Sequence, residues 1–255
     1  MNEKMVEREV LSRFLADELQ VTSFKDYCPN GLQVEGRSAI KRLVSGVTAS
    51  LALIEKAIEA EADAILVHHG YFWRGEDARI VGQKQKRLKL LLQNDISLFA
   101  YHLPLDAHPE LGNNAQLAKK LGLVSDGRFG ADKLGWIGKM QNESIRNVGE
   151  LAQLIQVQLG RAPMIVGDPN QQLGRIAWCT GAAQSMFGEA IDAGANIYLS
   201  GEISEPTVHL AREMGVAYLA CGHHATERYG VQALAARIQE KFDIQHHFID
   251  IENPV

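Results

Sequence analysis

Apolar residues recur at helical spacing from the start of the chain. Val6, Val10 and Phe14 fall at four-residue steps, with Leu11, Leu15 and Leu19 on an adjoining line, so an amphipathic helix opens the sequence. Pro29-Asn30-Gly31 reads as a turn ahead of a short strand, Leu32-Gln33-Val34. The pattern then changes to short apolar runs alternating with helical stretches of about ten residues. Strands at 42–47, 64–67 and 95–100 enclose helices at 51–60 and 85–93. Strands at 175–180, 197–200 and 215–220 enclose helices at 186–193 and 205–213. Apolar strands joined through helices predict βαβ units and parallel sheets buried on both sides.

Set against each other without a gap, 42–70 and 175–203 resemble one another. Arg42 meets Arg175, Ala57-Ile58-Glu59-Ala60 meets Ala190-Ile191-Asp192-Ala193, and Ala62-Asp63 meets Ala195-Asn196. An internal repeat of one α/β unit is the expectation. Asn113 opens a helix over 114–121 that Gly122 closes, followed by a strand at 134–140, a helix at 148–159 and a strand at 164–166. A last helix covers about 227–242, and 244–251 alternates like a closing strand. The predicted class is therefore α/β, with two similar interlinked domains of mainly parallel sheet. Residues 1–126 plus 229–255 would form the first domain and 127–228 the second. Their boundary is placed at Gly127–Gly130 and a site in the cleft between them.

Composition narrows the function. A chain of 255 residues, 46% hydrophobic, can bury two cores. Its net charge of −5 gives no general attraction to nucleic acid, and no recognition-helix motif is present, so nucleic acid is an unlikely partner. Cys28, Cys179 and Cys221 are odd in number and contain no CxxC pair, which points to buried thiols in a reducing compartment. Met1-Asn2-Glu3-Lys4 leads into no signal-type apolar region, and no run reaches membrane-spanning length. A soluble, cytoplasmic protein is expected.

The candidate chemistry lies where strands end, because loops at the carboxyl ends of parallel strands form the ligand crevice. Val67 is followed by His68-His69-Gly70, Ala100 by Tyr101-His102-Leu103-Pro104-Leu105-Asp106, and Ala220 by Cys221-Gly222-His223-His224-Ala225-Thr226-Glu227. Six of the nine histidines fall in or just beyond these three loops, a concentration that points to metal binding. His223 and Glu227, four apart, would share one helix face. His68 and His69, adjacent on extended backbone, would diverge, so one ion would not readily take both. With Asp106 the set has five donors, more than a single open zinc site uses, and two ions bridged by a carboxylate and a water accommodate them. His102 and His224 are read as outer hydrogen-bonding groups, His108 as a loop residue, and His246 and His247 as structural.

Several stretches carry a specific resemblance. Tyr27-Cys28-Pro29-Asn30-Gly31-Leu32-Gln33-Val34-Glu35-Gly36, Val67-His68-His69-Gly70-Tyr71-Phe72-Trp73, Tyr101 to Asp106, Ser200-Gly201-Glu202 and Gly222 to Arg228 together span nearly the whole chain. They resemble the YbgI-type proteins, the GTP cyclohydrolase I type 2 homologues of the Nif-three-like dinuclear metal-centre family. The resemblance implies a two-domain α/β subunit, a toroidal homohexamer, and two divalent metal ions per subunit (zinc, iron, manganese or nickel). It places the ligands on His68, His69, Asp106, His223 and Glu227, with Glu227 touching both ions. The segment 127–168 carries little of it.

A dinuclear centre with a bridging hydroxide makes a metal-dependent hydrolase the expected class, acting on a nucleotide-like or phosphorylated small molecule. The alternative is a non-enzymatic metal storage, delivery or regulatory assembly. Glu202, at the repeat position of His69, is the candidate catalytic residue for proton transfer or substrate orientation, or else an outer hydrogen-bond acceptor. The turns at 47–50 and 180–185 could take a phosphate at a helix start, although neither has the lysine of a P-loop. Lys84, Lys86, Arg87 and Lys89 fit the solvated face of a helix; Arg74 and Arg228 are better placed to meet an anion.

Overall fold

The computed structural model describes residues 4–130 and 132–255; Met1 to Glu3 of the opening segment lie outside the described residues. The chain divides into two units, one made from the described residues of Met1–Gly112 with Gly230–Glu252, the other from those of Asn113–Tyr229 with Asn253–Val255.

In the first unit a five-stranded sheet runs in the order Gln245–Phe248, Arg42–Thr48, Ala64–His69, Ser97–Ala100 and Gly31–Val34. The first four are mutually parallel and the last is antiparallel. Alternate strand residues serve opposite faces. Leu43, Leu66 and Phe99 pack with Leu11 and Leu15 of the Arg8–Glu18 helix and with Val231, Leu234 and Ile238 of the long helix His223–Phe242. Val44, Ile65, Val67 and Leu98 pack with Leu53 and Ile54 of Leu51–Glu59 and with Leu88 and Leu91 of Gly82–Gln93. Each such side chain stabilises by roughly 1.5–3 kcal/mol on burial, and with both faces covered a one-residue slip would interchange all of them. Ser50 caps the Leu51–Glu59 helix by accepting from Leu53 N–H.

The second unit has six strands in the order Leu123–Phe129, Gly135–Met140, Ile176–Trp178, Ile197–Ser200, Ala217–Ala220 and Met164–Val166. The Ile176, Ile197 and Ala217 strands are parallel; the flanking strands pair antiparallel. Trp178, Ile197, Leu199 and Leu219 face Leu117 and Leu121 of Asn113–Leu121 and Leu151 and Ile155 of Val148–Leu159. Tyr198, Tyr218 and Ala220 face Phe187 and Ala190 of Phe187–Asp192 and Ala211 of Glu205–Met214.

The two units share their strand register. Leu43, Val44 and Ser45 pair with Ala64, Ile65 and Leu66; Ile176, Ala177 and Trp178 pair with Ile197, Tyr198 and Leu199, as the ungapped alignment requires. A polar detail repeats as well. Asp63 accepts from the Arg42 N–H at 2.9 Å, and Asn196, at the matching position, accepts from the Arg175 N–H at 2.8 Å.

Other expectations change. Gly127–Gly130 is no boundary, because Leu123–Phe129 and Gly135–Met140 form a hairpin; its alternating, half-exposed strand is too polar to show as an apolar run. The units instead part at Gly112, since Leu117, Ala118 and Leu121 belong to the second core. The Ala64–His69 strand continues through both histidines, and the last helix begins at His223, a turn earlier than expected. Asp106 sits on a short helix, Leu103–Ala107, where a loop was expected. No helix among the described residues is long and apolar enough to cross a membrane.

Candidate metal centre

In the first unit His68 is fully buried at the end of its strand. Its Nδ1–H donates to the Tyr101 carbonyl at 2.9 Å, which leaves the lone pair on Nε2. That Nε2 lies 3.5 Å from Asp106 Oδ1. Pro104 lies in the first turn of the Asp106 helix, and the His102 carbonyl accepts from both Leu105 and Asp106 N–H. His69 Nδ1 is 3.2 Å from the hydroxyl of Thr48, its register partner. The expected divergence of the two histidines does not occur: their ring centroids are 4.5 Å apart. His69 is the last residue of its strand, and its ring also meets the Thr48 hydroxyl.

His102 joins this group. One donor atom from each of His68, His69 and His102 lies within 4.8 Å of the others, an arrangement that could hold a metal ion. Its Nδ1–H donates to Asp26 Oδ1 at 2.8 Å, while Asp26 Oδ2 accepts from Asn30 and from Leu103 N–H. Burial opposes ionisation of Asp26, but the hydrogen bonds from His102 and Asn30 outweigh it and bring its pKa to about 2. Cys28 is also near, yet burial and then the Asp26 charge push its thiol up to about 12, so a thiolate is disfavoured in the metal-free chain. Trp73 packs edge-on against His102 with centroids 4.9 Å apart. Sequence reasoning leaves His102 as an outer group and misses Asp26, whose partners His102 and Leu103 lie more than seventy residues along the chain.

In the second unit His223 opens its helix and Glu227 follows one turn later. His223 Nε2 stands 3.1 Å from Glu227 Oε2, and its Nδ1–H donates to Glu202 Oε1 at 2.7 Å. Burial works against the imidazolium, but Glu227 and then Glu202 overcome it and raise the metal-free pKa to about 9. Of the roles considered for Glu202, the geometry displays the outer one: it orients the His223 ring. Backbone makes the room. Gly181, at φ +69°, lies where a Cβ would run into Glu227 Oε1 and come within 3.2 Å of His223 Nε2. A Cβ on Gly201 would come within 2.6 Å of His223 Cα. Only glycine allows this approach of the turn to the helix start.

Other candidates have partners of their own. His108 Nδ1 accepts from Glu110 and Leu111 N–H and shapes a loop. His246 is hydrogen-bonded to Ser45, and His209 pairs with Glu205 on the surface. Arg74 donates to the Asp26 carbonyl and Arg228 to the Leu159 carbonyl, so both engage backbone oxygens. Burial holds the Cys221 thiol up at about 12.

The donor chemistry fits divalent metal. His68, His102 and His223 each give Nδ1–H to an oxygen, the outer arrangement that turns Nε2 toward a cation and raises its basicity. Imidazole and carboxylate together suit zinc, iron, manganese or nickel. The expected ligands divide as His68, His69 and Asp106 in one unit and His223 and Glu227 in the other.

The chain matches known proteins along nearly its whole length. The family model described as Duf34/NIF3 (NGG1p interacting factor 3) matches residues 6–254. A Pseudomonas aeruginosa protein named "GTP cyclohydrolase 1 type 2 homolog" is 54% identical over 239 residues, 92% of this chain and 94% of that protein. An Allochromatium vinosum protein of the same name is 48% identical over all of both chains. A solved structure titled as protein ybgI, of unknown function, superposes with a TM-score of 0.93 at 46% identity, covering 98% of this chain and all of that one.

Proposed function

Because the chain belongs to the Duf34/NIF3 family, we propose that it is a dinuclear metal-dependent hydrolase in which His68, His69, Asp106, His223 and Glu227 hold two divalent ions. One observation carries the reading: each unit presents part of a ligand set, with its imidazoles oriented through Nδ1 and carboxylates beside their Nε2 atoms. Five donors exceed what a single open site uses, and two ions would accommodate them.

Two bound ions would supply Lewis acidity and water activated at neutral pH. The chain's own residues do the positioning. The Tyr101 carbonyl and the Glu202 carboxylate fix the His68 and His223 tautomers. Gly181 lets the backbone come up to the Glu227 and His223 side chains, and Gly201 to the His223 main chain. The Asp26–His102 pair, walled by Trp73, stands beside the histidine cluster with its donor nitrogen oriented. A small nucleotide-like or phosphorylated molecule is the substrate class this reading carries. A cytoplasmic homo-oligomer, a toroidal hexamer by the family resemblance, belongs to the same proposal and is tested by light scattering.

The deciding experiment is elemental analysis of purified protein followed by a hydrolase substrate screen on the wild type and His69→Ala. Two ions per chain, with turnover that the variant loses, is the expected result. Metal present without turnover in either protein would favour storage or delivery, and absence of metal under loading conditions would reject both.

A further inference from the structure

A cavity of about 310 Å³ opens in the second unit at the carboxyl ends of the Ile197–Ser200 and Ala217–Ala220 strands, lined in part by Arg161, Glu202, Gly222, Pro254 and Val255. Ligands of parallel α/β sheets bind at this end of the strands. Arg161 is built into the wall. A Cβ on Gly222 would come within 2.6 Å of Arg161 Nη1 and 3.1 Å of its Cζ, so the guanidinium lies against bare backbone at a φ of +98° that favours glycine. Glu202 reaches the same cavity while accepting from His223 Nδ1, which joins it to the candidate metal centre.

The segment Asn253–Val255 shows what the cavity's donors bind. Arg161 Nη1 donates to the Pro254 carbonyl at 2.6 Å, and the His224 N–H, in the first turn of a twenty-residue helix, donates to a Val255 oxygen at 3.0 Å. A guanidinium and a helix-start amide each hold an oxygen, a pairing suited to phosphate. The segment is otherwise lightly held: Val255 remains 57% exposed.

We propose that this cavity is the oxyanion subsite of the substrate, and that residues 253–255 engage its two donors until substrate displaces them. Arg161 and the His224 amide take a phosphate-type oxyanion. Glu202 takes a hydroxyl or N–H of the same molecule, which places the rest of the ligand toward His223. The proposal rests on the hydrolase reading and narrows its substrate to small molecules that carry an oxyanion and a hydrogen-bond donor.

Calorimetric titration with inorganic phosphate tests it on the full chain, on Arg161→Ala, and on a chain stopped after Glu252, each treated with chelator so that no ion can take the phosphate. Stopping at Glu252 is expected to tighten phosphate binding about tenfold, because a competent state hidden nine times in ten weakens apparent affinity by that factor. Arg161→Ala is expected to abolish binding, while Arg161→Lys, which keeps charge without the fork, retains part of it. Should Arg161→Ala fail to fold by circular dichroism, Arg161→Gln takes its place. Phosphate binding that ignores Arg161, or that does not respond to removal of 253–255, overturns the proposal. Metal content is measured on untreated protein in parallel. Arg161-dependent binding in a chain that takes no metal would strike the hydrolase reading alone; metal present without Arg161 dependence would strike the subsite alone.

Discussion

The two βαβ units use one frame for different chemistry. At matching positions the first carries Thr48, Asp63, His68 and His69, and the second carries Gly181, Asn196, Gly201 and Glu202. Their strand registers agree because apolar residues buried on both faces leave no freedom to slip. The strand ends lie beyond that constraint. In the first unit they hold imidazoles; in the second, glycines open space there and the proposed ligands sit one strand further on, at the start of a helix. The frame sets where chemistry can be placed, and the strand-end residues decide which chemistry is.

The largest expected effect tests the frame. Asp63 is buried and accepts from Lys41 N–H, Arg42 N–H and Arg37 Nη1. Asn196 is exposed where it accepts from Arg175 N–H. Removing a buried charged acceptor costs far more than removing an exposed neutral one. Asp63→Ala should lower unfolding stability in urea by about 3 kcal/mol and Asn196→Ala by about 0.5–1 kcal/mol. Equal losses would show that the matching positions carry equal weight and remove the contrast.

Next in size is the contrast at the strand ends. Glu202 holds the His223 ring through Nδ1, whereas Thr48 touches His69 through a longer hydroxyl contact of 3.2 Å. Outer partners of this kind contribute roughly ten- to a hundredfold to metal affinity. Glu202→Gln should therefore weaken metal binding by about tenfold or more, and Thr48→Ala by less, on the same outer-partner scale. Competition with a chromophoric chelator gives both numbers. A Thr48→Ala loss exceeding that of Glu202→Gln would reverse the order of the two ends.

Much of this was legible in the sequence, and the reasons are physical. Helix 148–159 and strand 197–200 match the observed bounds, because a capped amphipathic helix and a fully buried strand leave strong periodic signals. The histidine concentration was visible because three strand ends carry it. The Leu123–Phe129 strand was not, since its burial alternates among Ser, Asp, Gly and Arg that read as loop. Asp26 was missed for a different reason: its partners are His102, Asn30 and Leu103 N–H, and a carboxylate whose role depends on a contact 76 residues away has no local pattern. The proximity of the His68 and His69 rings likewise has no local pattern, since alternation along a strand predicts divergence.

The smallest effect concerns what flanks each frame. Beside Arg42–Thr48 runs the parallel strand Gln245–Phe248 with His246; beside Ile176–Trp178 runs the antiparallel Gly135–Met140, which has no histidine. Burial, and after it His247, lowers the His246 pKa from 6.5 to about 4, and its Nε2 lies 2.8 Å from Ser45 Oγ. In the unfolded chain the ring takes a proton near pH 6.5, but in the folded unit only near 4. Between those values the unfolded state binds more protons, so folding stability falls as pH drops through the window and levels off below it. The ring is partly exposed, and with solvent screening the loss is on the order of 1 kcal/mol. His246→Gln keeps a hydrogen-bonding group for Ser45 and removes the titration. Its urea midpoint should therefore drop less than that of the wild type between about pH 7 and about pH 4.5. An unchanged pH dependence would mean that His246 titrates in the folded protein as it does in the open chain, and that the two flanks do not differ in their response to acid.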